Sequence, residues 1–201
     1  MNWVKILFLS IFVTSFAFAG CATYKHTQVR VDEVETYPSH ISEKGILIAV
    51  DPCDSSEEAK EEFYVDVTSQ NFYPVLLIMR NDTSNRLIIL KDSFVLEDAD
   101  GRFYRPVNSQ VMADTCEHNK MAYAFLGGIF SYMSAEDANR KMASDWRDKE
   151  LPDSLIINPE RRTSGFVYFE LPAGKTTKGC TLKLEVENLD TKVKTQFEFT
   201  L

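Results

Sequence analysis

The stretch Thr181-Leu182-Lys183-Leu184-Glu185-Val186-Glu187, near the carboxyl end of the chain, decides the fold class. Its leucines and valine alternate with charged residues, the period-two pattern of a strand with one buried and one solvated face. Lys192 to Leu201 repeat the alternation with Phe197, Phe199 and Leu201. Two half-buried strands so close in sequence are typical of an antiparallel sheet.

Further strands are predicted on the amino-terminal side. The loop Asp98 to Arg102 separates two short apolar segments, and its Asp-Gly pair suits a tight hairpin. Tyr73 to Arg80 and Gly45 to Val50 are apolar runs that end in turn-forming residues. Ser55 and Glu58 form a capping-box pattern, which predicts a short helix. The sequence therefore predicts a mainly β fold, an antiparallel sandwich over residues 46–201 with a short N-terminal helix.

A helical insertion at about residues 107–153 interrupts the predicted strands. Ser134 and Asp137 form a second capping-box pattern, and apolar residues then recur at helical spacing, which predicts a helix over Ala135–Lys149. Ahead of it, Met121 to Met133 carry no charge. This segment either covers an edge of the sandwich or forms an exposed loop that contacts a membrane or partner through an apolar group of residues. The four candidate contact residues are Phe125, Leu126, Ile129 and Phe130.

The amino terminus has the pattern of a secretory signal peptide. Residues 1–20 contain Lys5, then an apolar run from Ile6 to Phe18, and they end on Ala19 and Gly20. The run of about a dozen residues is too short to span a bilayer, which requires roughly 20. The sequence Phe18-Ala19-Gly20-Cys21 resembles a bacterial lipobox, although Phe18 replaces the usual Leu. The resemblance implies that Cys21 becomes the first mature residue and carries diacylglycerol and a fatty acyl chain such as palmitate.

The predicted location is the cell envelope, with the chain anchored to a membrane through Cys21. Ala22, in place of Asp, resembles the signal for sorting to the outer membrane. Residues 21–45 are polar and without sustained periodicity, which predicts a lipidated cysteine followed by a flexible tether. Removal of residues 1–20 takes away one base, Lys5, and no acid, so the formal charge goes from −8 to −9. That acidity argues against nucleic acid as a partner.

Four segments share an order of turns and core positions: Tyr73 to Asn81, Phe94 to Pro106, Ile157-Asn158-Pro159, and Gly165 to Pro172. That order resembles the telokin-like, immunoglobulin-like domains of secreted bacterial proteins. Glu160 stands where a Gly often follows that proline, so we expect a different turn there. The resemblance covers roughly residues 46–201 outside the insertion. It implies an immunoglobulin-like sandwich and no catalytic residue.

Catalytic and metal-binding motifs are mostly missing from the sequence. His26 and His40 lie in the predicted tether, which leaves His118 as the one candidate general base. Cys116 and His118 offer two metal ligands without a completing set, and the acidic residues around Asp98 suit a hairpin better than calcium. We predict no metal and no cofactor beyond the lipid on Cys21. The preferred function is a non-catalytic module that binds an envelope protein or a glycan. The alternatives are a carrier of an apolar ligand and a hydrolase that uses His118.

Three cysteines remain if Cys21 is lipidated, and an oxidising compartment allows one disulfide. Cys180 shares the inward parity of Leu182 and Leu184, whereas Cys53 and Cys116 lie in polar segments. Of the three possible pairings, this favours Cys53 with Cys116.

Overall fold

A computed structural model describes the backbone of residues 24–117 and 120–201, and the side chains of these ranges except residues 120–134. The described part is mainly antiparallel β, with two sheets and three helices. The helices are α1 (Ser56–Phe63), α2 (Ser109–Cys116) and α3 (Lys120–Lys149). The strands are β1 (His40–Glu43), β2 (Ile46–Pro52), β3 (Phe72–Asn81), β4 (Leu87–Leu90), β5 (Val95–Glu97), β6 (Phe103–Tyr104), β7 (Pro106–Val107), β8 (Ser154–Ile157), β9 (Arg161–Glu170), β10 (Thr181–Asn188) and β11 (Lys194–Thr200).

The first sheet has the strand order β1-β2-β3-β9-β7. Its central pair, β3 and β9, runs in register from Phe72 opposite Glu170 to Asn81 opposite Arg161. Residues 72–79 of β3 are all buried, so this strand is covered on both faces. A continuous apolar run is what such a strand requires.

The second sheet has the order β6-β5-β10-β4-β8, with β11 paired to β10. Leu182, Leu184 and Val186 are buried on β10, as are Phe197 and Phe199 on β11, so the predicted alternation is confirmed. Within the described residues, buried apolar side chains from both sheets form one cluster. That cluster includes Ile48, Val50, Val75, Leu77, Leu87, Ile89, Val167, Phe169, Leu182, Leu184, Phe197 and Phe199.

The chain divides into two compact units. The larger comprises residues 26–116 and 143–201 and contains both sheets. On the other face of its first sheet, Phe63 of α1 packs edge-on against Trp146 of α3 and against Phe166 and Tyr168 of β9. Trp146 Nε1 donates to the Phe63 carbonyl, and the Tyr168 hydroxyl donates to the Trp146 carbonyl. Helices therefore cover that face in the larger unit.

The smaller unit contains residues 1–25 and 117–142, of which the structure describes only part. In its described part, Tyr24 packs against buried Ala135 and Ala138 of α3. No helix in the described part of the chain is long and apolar enough to span a membrane.

The start of α3 corrects the prediction for the insertion. The helix begins at Lys120 and includes residues 121–133, so this segment is helix and not a loop. Asp137 lies inside the helix, where its carboxylate forms ion pairs with Arg140 and Lys141 and does not cap a helix start. Most residues of the segment are good or tolerated helix formers, and the two adjacent glycines cost only about 1 kcal/mol each. The predicted apolar spacing farther on is confirmed, since Ala135, Ala138, Met142 and Trp146 are buried.

The predicted flexible tether also needs correction, because much of residues 21–45 belongs to the fold. Strand β1 pairs with β2 through a turn at Lys44 and Gly45, both of which have positive φ. Val34 is fully buried. The polar composition of this region concealed its strand because β1 lies at a sheet edge, where alternate side chains face water.

Candidate functional site

The residues predicted to contact a membrane or a partner lie in parts that the structure describes incompletely. Cys21 and His118 lie outside the described residues. Phe125, Leu126, Ile129 and Phe130 lie on α3, and their side chains are outside the described set. The structure does describe how residues 26–34 attach to the folded body, and this attachment is the candidate site. We call residues 26–34 the N-terminal strap.

Lys149, in the last turn of α3, is the centre of this attachment. Its Nζ lies 2.8 Å from Asp145 Oδ2, and the two side chains are only 5% and 2% exposed. The same ammonium group donates to the Glu62 carbonyl at 2.6 Å and lies 5.4 Å from the centre of the Phe63 ring. A buried ammonium group requires such partners because desolvation is otherwise costly.

Two strap residues join this buried pair. The Thr27 hydroxyl accepts a hydrogen bond from Lys149 Nζ and donates to the Glu62 carbonyl. His26 Nδ1 contacts the other carboxylate oxygen of Asp145, Oδ1. The strap therefore supplies two partners to the polar groups at the end of α3, and we call Asp145, Lys149, Glu62, His26 and Thr27 the clamp.

Arg162 of β9 holds the other end of the strap. Its guanidinium group lies 3.0 Å from Glu33 Oε1 and donates to the carbonyl of Val31 at 3.0 Å and to that of Asp32. Planar guanidinium groups suit several oxygen acceptors at once. Val34 is buried directly after these contacts. The sequence offered no sign of this role, since the partners lie about 130 residues away.

A small cleft of about 100 Å³ lies beside the clamp. Its lining includes Arg30 of the strap, Asp51 and three glutamates of α1, Glu58, Glu61 and Glu62. Burial raises the pKa of Glu62, and Lys149 opposes that shift. Burial also raises the pKa of Asp51, with a smaller contribution from Glu58. Among the described residues, no group of three or more His, Cys, Asp or Glu side chains is placed to hold a metal ion.

A wider groove, of about 570 Å³, lies at Leu90, Lys91, Asp92, Arg105, Pro106 and Asp153. Its cations have partners within the fold. Lys91 Nζ lies 2.6 Å from Glu150 and 2.9 Å from Asp153, while Arg105 donates to the Asp92 carbonyl at 2.7 Å. These side chains therefore stabilise the connection between β8 and the loop before β5, and we assign no ligand to the groove.

Asp98 stabilises the hairpin between β5 and β6. Its Oδ1 accepts from the backbone N–H groups of Asp100 and Arg102, and its Oδ2 accepts from the Tyr104 hydroxyl. These hydrogen bonds lower the pKa of Asp98, and Lys175 adds to the effect. The contacts support the hairpin interpretation over the calcium one.

The three described cysteines, Cys53, Cys116 and Cys180, are free thiols. The structure therefore does not contain the disulfide that the sequence favoured between Cys53 and Cys116. Burial raises the pKa of each of these two thiols to about 12, with nearby carboxylates contributing. Thiols with such values are mostly protonated at neutral pH and react slowly.

Comparisons with known proteins give little guidance about function. No protein-family model matches the chain, and no curated protein matches it. The solved structures that resemble it include the yjhA protein from Bacillus subtilis, with 11% identity, a TM-score of 0.42, and coverage of 80% of this chain and 95% of that one. Another is a Bordetella pertussis protein provisionally assigned as ApaA, with 8% identity, a TM-score of 0.36, and coverage of 82% and 91%. Both similarities are too weak to transfer a function or a fold name.

Proposed function

We propose that this chain is a lipid-anchored, non-catalytic binding or assembly module of the bacterial cell envelope, held in the outer membrane. The observation that carries the proposal is Cys21, which directly follows two small residues at the end of an apolar run. The thiol is the group that would receive the lipid. Two or more acyl chains hold a protein stably at a membrane, whereas one chain holds it marginally.

We further propose that the folded part is an immunoglobulin-like sandwich with inserted helices. The support is the pair of antiparallel sheets whose alternate residues share one apolar cluster. Such sandwiches serve as presentation scaffolds for binding surfaces on loops and insertions. In this chain, α2 and α3 occupy the connection between β7 and β8.

The partner is proposed to be an envelope protein or a glycan, contacted through the uncharged segment Met121 to Met133 of α3. Positions 125, 126, 129 and 130 have the spacing of one side of a helix. The carrier alternative concerns this same segment, whose side chains lie outside the described residues.

The anchor is tested by labelling cells with a radioactive or clickable fatty acid. The natural chain should incorporate the label and fractionate with membranes, whereas Cys21→Ser should do neither. Cys116→Ser is the matched control and should behave as the natural chain does. Continued labelling and membrane association of the Cys21→Ser chain would overturn the proposal.

The contact surface is tested by replacing Phe125, Leu126, Ile129 and Phe130 together with Ser in the full lipidated chain. If they form the contact, cross-linking to the envelope partner in cells should be lost while thermal unfolding stays cooperative. If they are core residues instead, each truncation should cost on the order of 2 to 5 kcal/mol and the chain should unfold. Unfolding would remove this segment as the binding site.

A further inference from the structure

We infer that the folded body lies close to the membrane surface, with its clamp end facing the lipid headgroups. The inference rests on the lipidation of Cys21 proposed above and adds the orientation and distance of the body. The surface concerned consists of the clamp and the adjoining acidic helix α1. Its partner is the headgroup layer of the membrane that holds the lipid.

Little free chain lies between the lipid and the fold. Five residues stand between Cys21 and Thr27, the clamped threonine. A fully extended chain covers at most about 3.3 to 3.6 Å per residue, so Thr27 lies within about 20 Å of the lipidated residue. A free tether of 24 residues would instead allow about 80 Å at full extension.

The strap is not easily released to lengthen this connection. It is fixed at one end by the buried Lys149–Asp145 pair and at the other by Arg162, whose guanidinium group donates to three acceptors on the strap. Val34 is fully buried beyond them. Peeling the strap away would leave Lys149 without its Thr27 contact and would expose Val34 to water.

The surface brought close to the lipid is the clamp and the acidic helix α1. The Glu62 carbonyl at the end of α1 accepts hydrogen bonds from both Thr27 and Lys149, so α1 adjoins the clamp. This helix carries Glu57, Glu58, Glu61 and Glu62. Carboxylates are repelled by anionic headgroups, so the short connection holds this surface near the membrane without insertion into it.

The chain carries its own optical probe for this distance. It has two tryptophans, Trp3 and Trp146, and removal of residues 1–20 leaves only Trp146. The Trp146 indole donates to the Phe63 carbonyl, and the Phe63 ring lies beneath Lys149, so the fluorophore is next to the clamp. Energy transfer from Trp146 to dansyl-labelled headgroups therefore reports the separation between the clamp and the membrane.

The test compares three lipidated proteins in vesicles of phosphatidylethanolamine and phosphatidylglycerol. One is the natural chain, one has a 20-residue Gly-Ser spacer between Ala22 and Thr23, ahead of the Tyr24 contact with α3, and one has the same spacer at Gly174, in an exposed turn. We expect efficient transfer in the natural chain and the Gly174 variant, and a several-fold loss with the spacer after Ala22. Mass spectrometry first confirms the lipid on all three proteins, so that a missing anchor is distinguished from a distant body.

Weak transfer in the natural, lipidated chain would overturn the inference and leave the anchor proposal intact. Equal transfer in all three proteins would also overturn it, because the connection length would then not set the distance. Thermal unfolding of each protein shows that the spacers leave the fold unchanged.

Discussion

Asp145 and Lys149 form an ion pair of 2.8 Å one helical turn apart, and both side chains are almost completely buried. Asp137 and Lys141 form a pair of 2.6 Å with the same spacing in the same helix, but there the side chains are 41% and 62% exposed. The chain thus contains a buried and an exposed version of one interaction. The buried pair contacts the strap through Thr27 and His26.

Replacing Lys149 with Met should therefore be far more damaging than replacing Lys141 with Met. Loss of Lys149 leaves the Asp145 carboxylate buried without its ammonium partner, which typically costs about 3 to 5 kcal/mol. Lys141→Met should leave the free energy of unfolding almost unchanged, because exposed pairs contribute little. Urea denaturation of the two variants checks this, and equal losses would show that burial of the pair is unimportant.

Replacing Arg162 with Gln should loosen the strap without unfolding the domain. The variant loses the charge that pairs with Glu33. It also loses the guanidinium N–H groups that donate to the Val31 and Asp32 carbonyls. Limited trypsin digestion should then cleave after Arg30 faster than in the natural chain, because local opening exposes the backbone to protease. The control is Arg161→Gln, a substitution at the neighbouring exposed residue. Similar cleavage rates in both variants would argue against the assigned role of Arg162.

The acidic cleft predicts a pH dependence for Glu62. Since burial raises the pKa of Glu62, the folded state holds its proton more tightly than the unfolded chain does. The ionised form therefore destabilises the fold as the pH rises above the ordinary value of 4.5. Glu62→Gln should gain stability relative to the natural chain between pH 4 and pH 7, while Glu57→Gln, an exposed control on the same helix that does not shift the pKa of Glu62, should not. A stability difference that does not vary with pH would contradict this account.

A thiol count distinguishes the arrangement in the structure from the pairing that the sequence favoured. The lipidated chain, unfolded without reductant, should show three reactive thiols, since Cys53, Cys116 and Cys180 are free. A Cys53–Cys116 bridge would leave one. Before unfolding, alkylation at neutral pH should be slow, because burial raises the pKa of Cys53 and Cys116 to about 12.

The strands were predictable because their signal is local. The alternation around Leu184 and the Asp-Gly turn at Gly101 depend on neighbours in sequence, and the structure confirms both. The capping box at Ser55 and Glu58 is confirmed for the same reason. Glu160 adopts a positive φ of 57°, a conformation that favours Gly and that other residues adopt less often.

The strap and its clamp were not predictable because their contacts are distant in sequence. Thr27 bonds to Glu62 and to Lys149, which are 35 and 122 residues away. A polar segment has the same composition whether it is free or bound to a folded body. Composition alone therefore predicts a tether for residues 26–34. The Ser134–Asp137 pattern predicted the wrong helix start for a related reason. The same sequence pattern also occurs inside a longer helix, as it does here within α3.

The central claim is that Cys21 is the lipidated first residue of the mature chain. The most direct test is tandem mass spectrometry of the amino-terminal peptide from protein extracted from membranes. We predict a peptide that begins at Cys21 and carries the mass of diacylglycerol and a fatty acyl chain. A peptide that begins elsewhere, or an unmodified Cys21 in membrane-bound protein, would contradict the account.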